Sequence, residues 1–176
     1  MQTVSVEDVQ AVAAGYHPDP GRSMSLRSMA YTEPRWAQAD LDAIFARSWQ
    51  WVCHVEQVAE PGGYVAATVA GMPVVVVRDR EGTLRGFYNV CKHRAHQLLT
   101  GSGTTRSMMC PYHAWSYDLA GQLRGSRLAD RMETFDASGI CLDQIQVEEF
   151  GGFVYVNLDA TAAPLAQQAG DLAAEI

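Results

Sequence analysis

The sequence has 176 residues, of which 48% are hydrophobic and 19% charged, and this content predicts one globular domain with its own core plus a short appended segment. The formal net charge is −7 and there is no run of Lys or Arg, which argues against a nucleic-acid-binding surface. No apolar run reaches the length of a membrane span, and residues 1–10 lack the basic start of a secretory signal, so we expect a cytoplasmic protein without a membrane segment.

The first part of the chain predicts short helices. Apolar residues between 4 and 14 indicate one helix, which Gly15 and the Pro- and Gly-containing turn at 18–21 end. Between 31 and 49, apolar residues recur every three or four positions, as on one face of a second helix. That predicted face consists of Leu41, Ile44, Phe45 and Trp49.

From Trp49 onward the pattern is that of short strands separated by glycine-rich turns. The predicted strands lie within 49–55, 64–69, 73–77, 84–90, 108–110 and 115–117, with a final pair within 147–158. Strands of this length and spacing predict a mostly β fold, an antiparallel β-sandwich that follows the short N-terminal helices.

Two short motifs carry the residue types that bind transition metals. The first is Cys91-Lys92-His93, and after sixteen intervening residues comes Cys110-Pro111-Tyr112-His113. In a Rieske [2Fe–2S] centre, two thiolates bind one iron and two imidazoles bind the other. Each motif then supplies one ligand to each iron. We therefore predict that the ligands are Cys91, His93, Cys110 and His113.

A zinc-stapled binding module is the alternative use of two Cys and two His. Zinc sites favour Cys-x2–4-Cys and His-x3–5-His pairs rather than one Cys and one His in each motif, so the spacing favours the cluster. The other two cysteines, Cys53 and Cys141, are expected to be free thiols. A disulfide between them stays open, although a cytoplasmic setting disfavours it.

With these motifs the sequence resembles the Rieske non-haem iron oxygenases, specifically their alpha subunit. The resemblance is carried by Cys91-Lys92-His93-Arg94 and by the stretch from Cys110 to Trp115, and it extends over about 31–159. Weaker support comes from three flanking stretches, 31–34, 44–49 and 149–153.

The resemblance implies a division of the chain into three parts. Residues 1–48 are expected to be an N-terminal helical extension. Residues 49–160 are expected to be the Rieske domain, a β-sandwich with a two-loop cluster-binding subdomain. Residues 161–176 are expected to begin the linker or helix that leads to a catalytic domain.

Electron transfer is the function that the resemblance implies. A flavin- or ferredoxin-type reductase that uses NAD(P)H reduces the cluster, which passes electrons to a mononuclear Fe(II) that activates oxygen. No His follows His113, so we expect that iron site outside this chain. It is expected in the catalytic domain of the same or a neighbouring subunit of a trimer-based homo-oligomer. A free-standing Rieske ferredoxin is the alternative.

Four neighbours of the motifs are expected to act on the cluster: Arg94, His96, Trp115 and Tyr117. High-potential respiratory relatives have a cysteine pair where His96 and Tyr112 stand, and a donor serine where Trp115 stands. Tyr117 keeps the position of their donor tyrosine. The resemblance therefore implies a potential in the lower part of the Rieske range. Trp115 is expected to shield the cluster, whereas Arg94 either stabilises its charge or packs structurally.

The substrate is only weakly indicated. Ala95 and Ala114 stand where the family usually has glycine. Ala114, together with His96-x-Leu98-Leu99, is similar to members that act on quaternary ammonium compounds such as carnitine or betaines. Hydroxylation of an aromatic ring stays open, as does the choice between mono- and dioxygenation.

Overall fold

The computed structural model describes residues 3–127, 129 and 133–175. The chain divides into two compact units, Met1–Ala46 and Arg47–Ile176. The first unit is helical and the second is built mainly from antiparallel strands. The predicted fold class, mostly β with short N-terminal helices, is confirmed. Among the described residues, no helix has both the length and the apolar character needed to span a membrane.

The described residues of the first unit form three α-helices, α1 (Val6–Val12), α2 (Met29–Thr32) and α3 (Pro34–Ala43). Helix α1 begins at Ser5, whose hydroxyl accepts from the backbone N–H of Asp8 while the Asp8 carboxylate accepts from the N–H of Ser5. This capping box satisfies two N–H groups that the first turn of a helix leaves without partners.

The predicted apolar face of the second helix is wrong. Helix α3 ends at Ala43, and the chain continues as a 3-10 turn over Phe45–Arg47. Ile44 and Phe45 are 55% and 44% exposed. A 3-10 turn has about three residues per turn, so the 3.6-residue spacing that would align these side chains is lost. Trp49 lies in the second unit, where its Nε1–H donates to the carbonyl of Ala163.

Within the part of the second unit that the structure describes there are two sheets, and each strand pair in them is antiparallel. The larger has seven strands in the order β1-β10-β9-β4-β3-β2-β5, and the smaller has three in the order β6-β7-β8. The strands are β1 (Gln50–His54), β2 (Gly63–Val69), β3 (Met72–Arg78), β4 (Leu84–Tyr88), β5 (Ser102–Thr104), β6 (Met108–Met109), β7 (Ser116–Tyr117), β8 (Leu123–Gly125), β9 (Gln144–Phe150) and β10 (Phe153–Asn157). A short helix, α4 (Leu165–Ala169), follows β10.

Strand β3 separates two cores. Its four valines, Val74–Val77, are fully buried, and successive side chains point to opposite faces of the sheet. Val75 and Val77 enter a core that also contains Cys91 and Cys110. Val74 and Val76 enter a second core formed with strands β1, β9 and β10. Burial on both faces explains why this strand reads as a continuous apolar run.

The turn between β3 and β4 is held by a buried carboxylate. Asp79 Oδ1 accepts from the backbone N–H groups of Glu81 and Thr83, at 3.1 and 2.7 Å, and Oδ2 accepts from Arg85 Nε at 2.8 Å. Gly82 supplies the positive φ, 81°, that the turn requires. These contacts fix the start of β4, the strand that leads to Cys91.

The turn between β7 and β8 repeats the same Asp-x-x-Gly-x-x-Arg pattern. Asp118 Oδ1 accepts from the N–H groups of Ala120 and Gln122, both at 3.0 Å, and Oδ2 accepts from Arg124 Nε at 2.7 Å. Gly121 has a φ of 90°. A glycine-containing turn is expected from the sequence at each place, and the structure adds the carboxylate geometry that the two turns share. The Asp79 turn orients β4, which leads into the first motif. The Asp118 turn orients β7, which follows the second motif.

Each motif forms a closed loop of six residues, which we call the first hook (91–96) and the second hook (110–115). The first hook follows β4 and is closed by two backbone hydrogen bonds, from Cys91 N to His96 O and from Ala95 N to Cys91 O, both at 2.9 Å. The loop therefore returns to its own first residue, which keeps its side chains close together.

The second hook joins β6 to β7 and is closed in the same way. Cys110 N donates to Trp115 O at 2.7 Å, and Ala114 N donates to Cys110 O at 3.0 Å. The residue fifth in each hook has a left-handed backbone, with φ of 54° at Ala95 and 58° at Ala114. Both alanines are strained there, since a Cβ disfavours this region.

A buried asparagine ties together the two ends of the first hook. Asn89 is fully buried, and its Oδ1 accepts from the backbone N–H groups of Leu98 and Leu99, at 3.2 and 3.0 Å. Its Nδ2–H donates to the carbonyl of Leu99 at 2.7 Å. The chain before Cys91 is thereby joined to the chain after the hook.

All four cysteines are free thiols in the structure. Cys53 is buried in the second core, and burial raises its pKa to about 11, so it stays protonated at neutral pH. Cys141 is half-buried. The disulfide between Cys53 and Cys141 that the sequence left open is absent.

Replacing Asn89 with Ala removes three hydrogen bonds and leaves the backbone N–H groups of Leu98 and Leu99 without their acceptor in a largely buried place. We expect the free energy of unfolding to fall by about 3 kcal/mol. Gln97→Ala is the matched control, because Gln97 Nε2 donates to the same Leu99 carbonyl from an exposed position. It should change stability by less than about 0.5 kcal/mol. Urea unfolding measures both, and equal losses would contradict a specific role of Asn89.

Replacing Ala95 or Ala114 with Gly should stabilise the protein. Glycine relieves the left-handed strain, and its larger unfolded-state entropy offsets part of the gain, so we expect roughly 0.5 kcal/mol from each change. Ala66→Gly in β2 is the control, since Ala66 lies in a regular strand and should lose about 0.5 to 1 kcal/mol. Thermal unfolding of the three variants tests the opposite signs, and losses in all three would contradict the strain.

Candidate metal centre

The two cysteines of the hooks lie in one core. Cys91 and Cys110 are 2% and 3% exposed, and both belong to the core that contains Val75 and Val77. Strand β4 delivers Cys91 from the larger sheet, whereas β6 delivers Cys110 from the smaller sheet. Two thiols that are distant in the sequence therefore face the same interior.

The two histidines of the hooks lie side by side nearer the surface. The ring centroids of His93 and His113 are 4.8 Å apart, with the rings at 73° to each other. His93 is exposed and His113 is half-buried. Each ring packs on an aromatic residue of the second hook, His93 on Trp115 at 4.8 Å and His113 on Tyr112 at 3.7 Å.

His113 has a nitrogen without a partner. Its Nδ1 is buried and makes no hydrogen bond among the described residues. Burial lowers the pKa of His113, and the nearby positive charges of His93, Arg94 and His96 lower it further. The neutral imidazole is the form that binds a metal, so a buried Nδ1 without a hydrogen-bond partner is suited to be a metal ligand.

These residues fit a [2Fe–2S] cluster of the Rieske type. Two soft thiols lie inside and two imidazoles lie outside, as the inner and outer iron of such a cluster need. Among the described residues, no three His, Cys, Asp or Glu side chains gather as one bound ion requires. A Rieske cluster takes only two protein ligands on each iron.

Tyr117 joins the cysteine side of the site to the first hook. The side chain is fully buried, and its hydroxyl accepts from the backbone N–H of Lys92 at 3.0 Å. The same oxygen lies 3.4 Å from Cys91 Sγ. Burial and the neighbouring Cys91 raise the pKa of Tyr117, so the hydroxyl keeps its hydrogen. The hydroxyl hydrogen is therefore available for a hydrogen bond to the sulfur when Cys91 is a thiolate.

Trp115 covers one side of the site. It is 7% exposed, stacks on His93 with the planes 10° apart, and contacts Phe135 edge to face at 5.8 Å. The expectation that Trp115 is a packing residue beside the site agrees with this placement.

Arg94 and His96 lie on the exposed side of the first hook, away from the buried thiols. The Nδ1–H of His96 donates to the carbonyl of Gln97 at 2.7 Å, and its ring lies 5.6 Å from that of Tyr112. An aromatic contact thus joins the two hooks where the respiratory relatives are expected to have a disulfide. The positive charge of Arg94 is one of the causes that lower the pKa of His113.

A cavity of about 610 Å³ opens beside the histidines. Its lining combines both imidazoles with aromatic, small and basic residues: His93, Pro111, Tyr112, His113, Ala114, Trp115, Arg127 and Ala129. The histidine side of the site is therefore accessible to a partner, whereas the cysteine side is closed by the core.

Three features of the site were missed by the sequence analysis. Asn89 carried a signal, a polar residue at the end of an apolar strand two positions before Cys91. No local sequence signal indicated that Arg127 lines the cavity or that Lys92 and Asp143 form an ion pair. Both depend on residues far away in the sequence.

The family model for the Rieske [2Fe–2S] domain matches residues 48–136. Among curated proteins, the carnitine monooxygenase oxygenase subunit of Acinetobacter pittii is 36% identical over 94% of this chain and 45% of its own length. The chloroplastic choline monooxygenase of Beta vulgaris is 36% identical over 80% of this chain and 31% of its own length. The chain thus spans less than half the length of these relatives.

Solved structures are similar as well. A quaternary ammonium Rieske monooxygenase, whose structure is described as giving insights into carnitine oxidation by gut microbiota and inter-subunit electron transfer, has a TM-score of 0.78 at 38% identity over 84% of this chain and 41% of its own. Naphthalene 1,2-dioxygenase from Rhodococcus sp. has a TM-score of 0.86 at 27% identity over 97% of this chain and 40% of its own.

The family match covers both hooks, and its cofactor is an iron–sulfur cluster, so the zinc alternative is wrong. The relatives are oxygenase subunits and oxygenases, as the resemblance of the motifs implied. This chain belongs to the Rieske [2Fe–2S] domain family, in the form found in the oxygenase subunits of Rieske oxygenases.

Proposed function

We propose that Cys91 and Cys110 bind one iron of the [2Fe–2S] cluster and that His93 and His113 bind the other. The observation that carries this proposal is the pairing itself, with two buried thiols in one core and two packed imidazoles nearer the surface. When bound, the cluster supplies reversible uptake of one electron. The buried Nδ1 of His113, which has no other partner among the described residues, supports its place as a ligand.

The histidine side is the face through which electrons enter and leave. Its cavity exposes part of both imidazoles, and an electron carrier needs its outer metal near the surface of a partner. The proposed partners are a reductase or ferredoxin as donor and a mononuclear Fe(II) site as acceptor. Inter-subunit electron transfer in the similar monooxygenase supports an acceptor on a neighbouring subunit of a trimer-based homo-oligomer.

Oxygen activation is proposed to occur outside this chain. Residues 49–160 would form the Rieske domain, 1–48 its helical extension and 161–176 the start of the connection to the catalytic domain. The family match at 48–136 and the compact unit that begins at Arg47 support this division. The cytoplasm is the proposed location.

A quaternary ammonium compound is the proposed substrate class of the whole protein. Both reported curated relatives act on such compounds, carnitine and choline, and each is 36% identical to this chain. The naphthalene dioxygenase has the higher TM-score but the lower identity, 27%, so an aromatic substrate is the second candidate. A panel of carnitine, choline and naphthalene with the full-length oxygenase and its reductase separates the two.

Loss of any proposed ligand should remove the cluster spectrum. We expect Cys91→Ser, Cys110→Ser, His93→Cys and His113→Cys to abolish the visible absorption and electron paramagnetic resonance of the Rieske cluster, because each changes a ligand type that defines it. Cys53→Ser and Cys141→Ser are matched controls that should keep both signals, with at most a modest loss of stability. A wild-type spectrum in all four ligand variants would sink the assignment.

Removal of the Tyr117 hydroxyl should lower the midpoint potential. A hydrogen bond to a cysteine sulfur stabilises the reduced, more negative cluster, so Tyr117→Phe makes reduction less favourable. We expect a shift of tens of millivolts, since roughly 59 mV corresponds to about 1.4 kcal/mol for one electron, near the worth of one hydrogen bond. Voltammetry at one pH measures the sign. An unchanged or raised potential with the cluster intact would make Tyr117 a packing residue only.

A further inference from the structure

We propose that Asp143 is a positioning residue that sets the redox potential of the cluster from outside the hooks, through Lys92 and Tyr117. This inference rests on the proposed function, because it concerns the sulfur of Cys91 as a cluster ligand. It joins three residues that lie far apart in the sequence and that the motifs alone do not connect.

The chain of contacts begins at the sulfur. The Tyr117 oxygen lies 3.4 Å from Cys91 Sγ and accepts from Lys92 N at 3.0 Å. A phenol has one hydrogen, and its direction depends on what else the oxygen binds. With the Lys92 N–H as donor to the oxygen, the hydroxyl hydrogen is left for the sulfur. The Lys92 N–H thus holds the Tyr117 oxygen where its hydrogen can reach a thiolate at Cys91.

The Lys92 side chain is held by a distant carboxylate. Lys92 lies between Cys91 and His93 in the first hook, and its side chain is outside the core, whereas the hydrogen bonds of Cys91 and Ala95 close the hook backbone around it. Its ammonium forms an ion pair with the carboxylate of Asp143, 51 residues later in the chain. This is the side-chain polar contact that anchors Lys92 within the described part of the chain.

Asp143 is itself fixed to the larger sheet. Its carbonyl accepts from the backbone N–H of Tyr88 at 2.9 Å, which places it beside the end of β4. Leu142, the residue before Asp143, is 2% exposed and belongs to the core that contains Cys91 and Cys110. Strand β9 begins at Gln144, the residue after Asp143. The carboxylate thus projects from a rigid base toward the hook.

Two physical effects of removing the Asp143 carboxylate have opposite signs. If Asp143 acts as a charge alone, its loss leaves the Lys92 ammonium uncompensated, which favours the reduced cluster and raises the potential. If Asp143 positions Lys92, its loss loosens the Lys92 N–H and weakens the hydrogen bond to sulfur, which lowers the potential. The pair is partly exposed, with side chains 32% and 64% accessible, so solvent screens the charge effect. The carboxylate and the ammonium also form a direct hydrogen bond, whose loss frees the Lys92 side chain whatever the screening, so we expect the positioning effect to be the larger one and the potential to fall.

The test is a double-mutant cycle on the cluster-loaded protein, measured by voltammetry at one pH and one ionic strength. We expect Asp143→Ala to lower the midpoint potential by less than Tyr117→Phe does. In the Tyr117→Phe background the same change should lower it no further, because the hydroxyl through which it acts is gone. A raised or unchanged potential for Asp143→Ala, or equal lowering in both backgrounds, would overturn the proposal.

Two further variants sharpen the result. Asp143→Glu keeps the carboxylate and should restore the wild-type potential at least in part. Glu149→Ala breaks the ion pair with Arg78, whose other side-chain hydrogen bonds go to the carbonyls of Val58 and Gly82, and should leave the potential unchanged. Electron paramagnetic resonance establishes cluster content in each sample. Absence of a Rieske signal from the wild type would contradict the proposed function, whereas intact clusters with equal potentials would overturn only the role of Asp143.

Discussion

Burial of the two hook cysteines in a single core is the constraint on which the site depends. Val75 and Val77 of the larger sheet and Met108, Tyr117 and Leu123 of the smaller sheet pack around Cys91 and Cys110. Burial of side chains of this size stabilises by about 1.5 to 3 kcal/mol each, enough to hold two sheets and two hooks together. Because the cysteines lie within this core, the histidines two and three residues later lie nearer the surface.

Apolar burial brings the hooks together but does not orient them, because the hydrophobic effect has no direction. Orientation comes from buried polar groups whose partners are fixed in geometry. Asn89 joins the ends of the first hook, and the Asp79 and Asp118 turns orient the strands that enter and leave the site. Tyr117 then connects the smaller sheet to the sulfur of Cys91. The result is a closed cysteine side and an open histidine side, as electron transfer to a partner requires.

The sequence predicted the longer strands correctly and the ends of the helices less well. Alternating and β-branched residues bounded by Gly-rich turns are local signals, so β2, β3, β4 and β10 were found. The sequence did not indicate the short strands β5 and β8, which have three residues each. Strand β5, Ser102–Thr104, is also exposed on an edge and has no apolar alternation. The prediction of an apolar helix face through Ile44 was wrong because periodicity does not reveal where a helix changes to a 3-10 turn.

The residue types and spacing of the two motifs indicated the kind of cluster and the family by themselves, and they predict the donor set, since one Cys and one His in each motif suit few other metal centres. The tertiary structure alone decided that the thiols lie inside, that Tyr117 meets Cys91 across 26 residues, and that Asp143 holds Lys92 across 51. The physical reason is separation in the chain. A motif records which atoms can bind, whereas hydrogen bonds between distant residues exist only after two sheets have packed on one core.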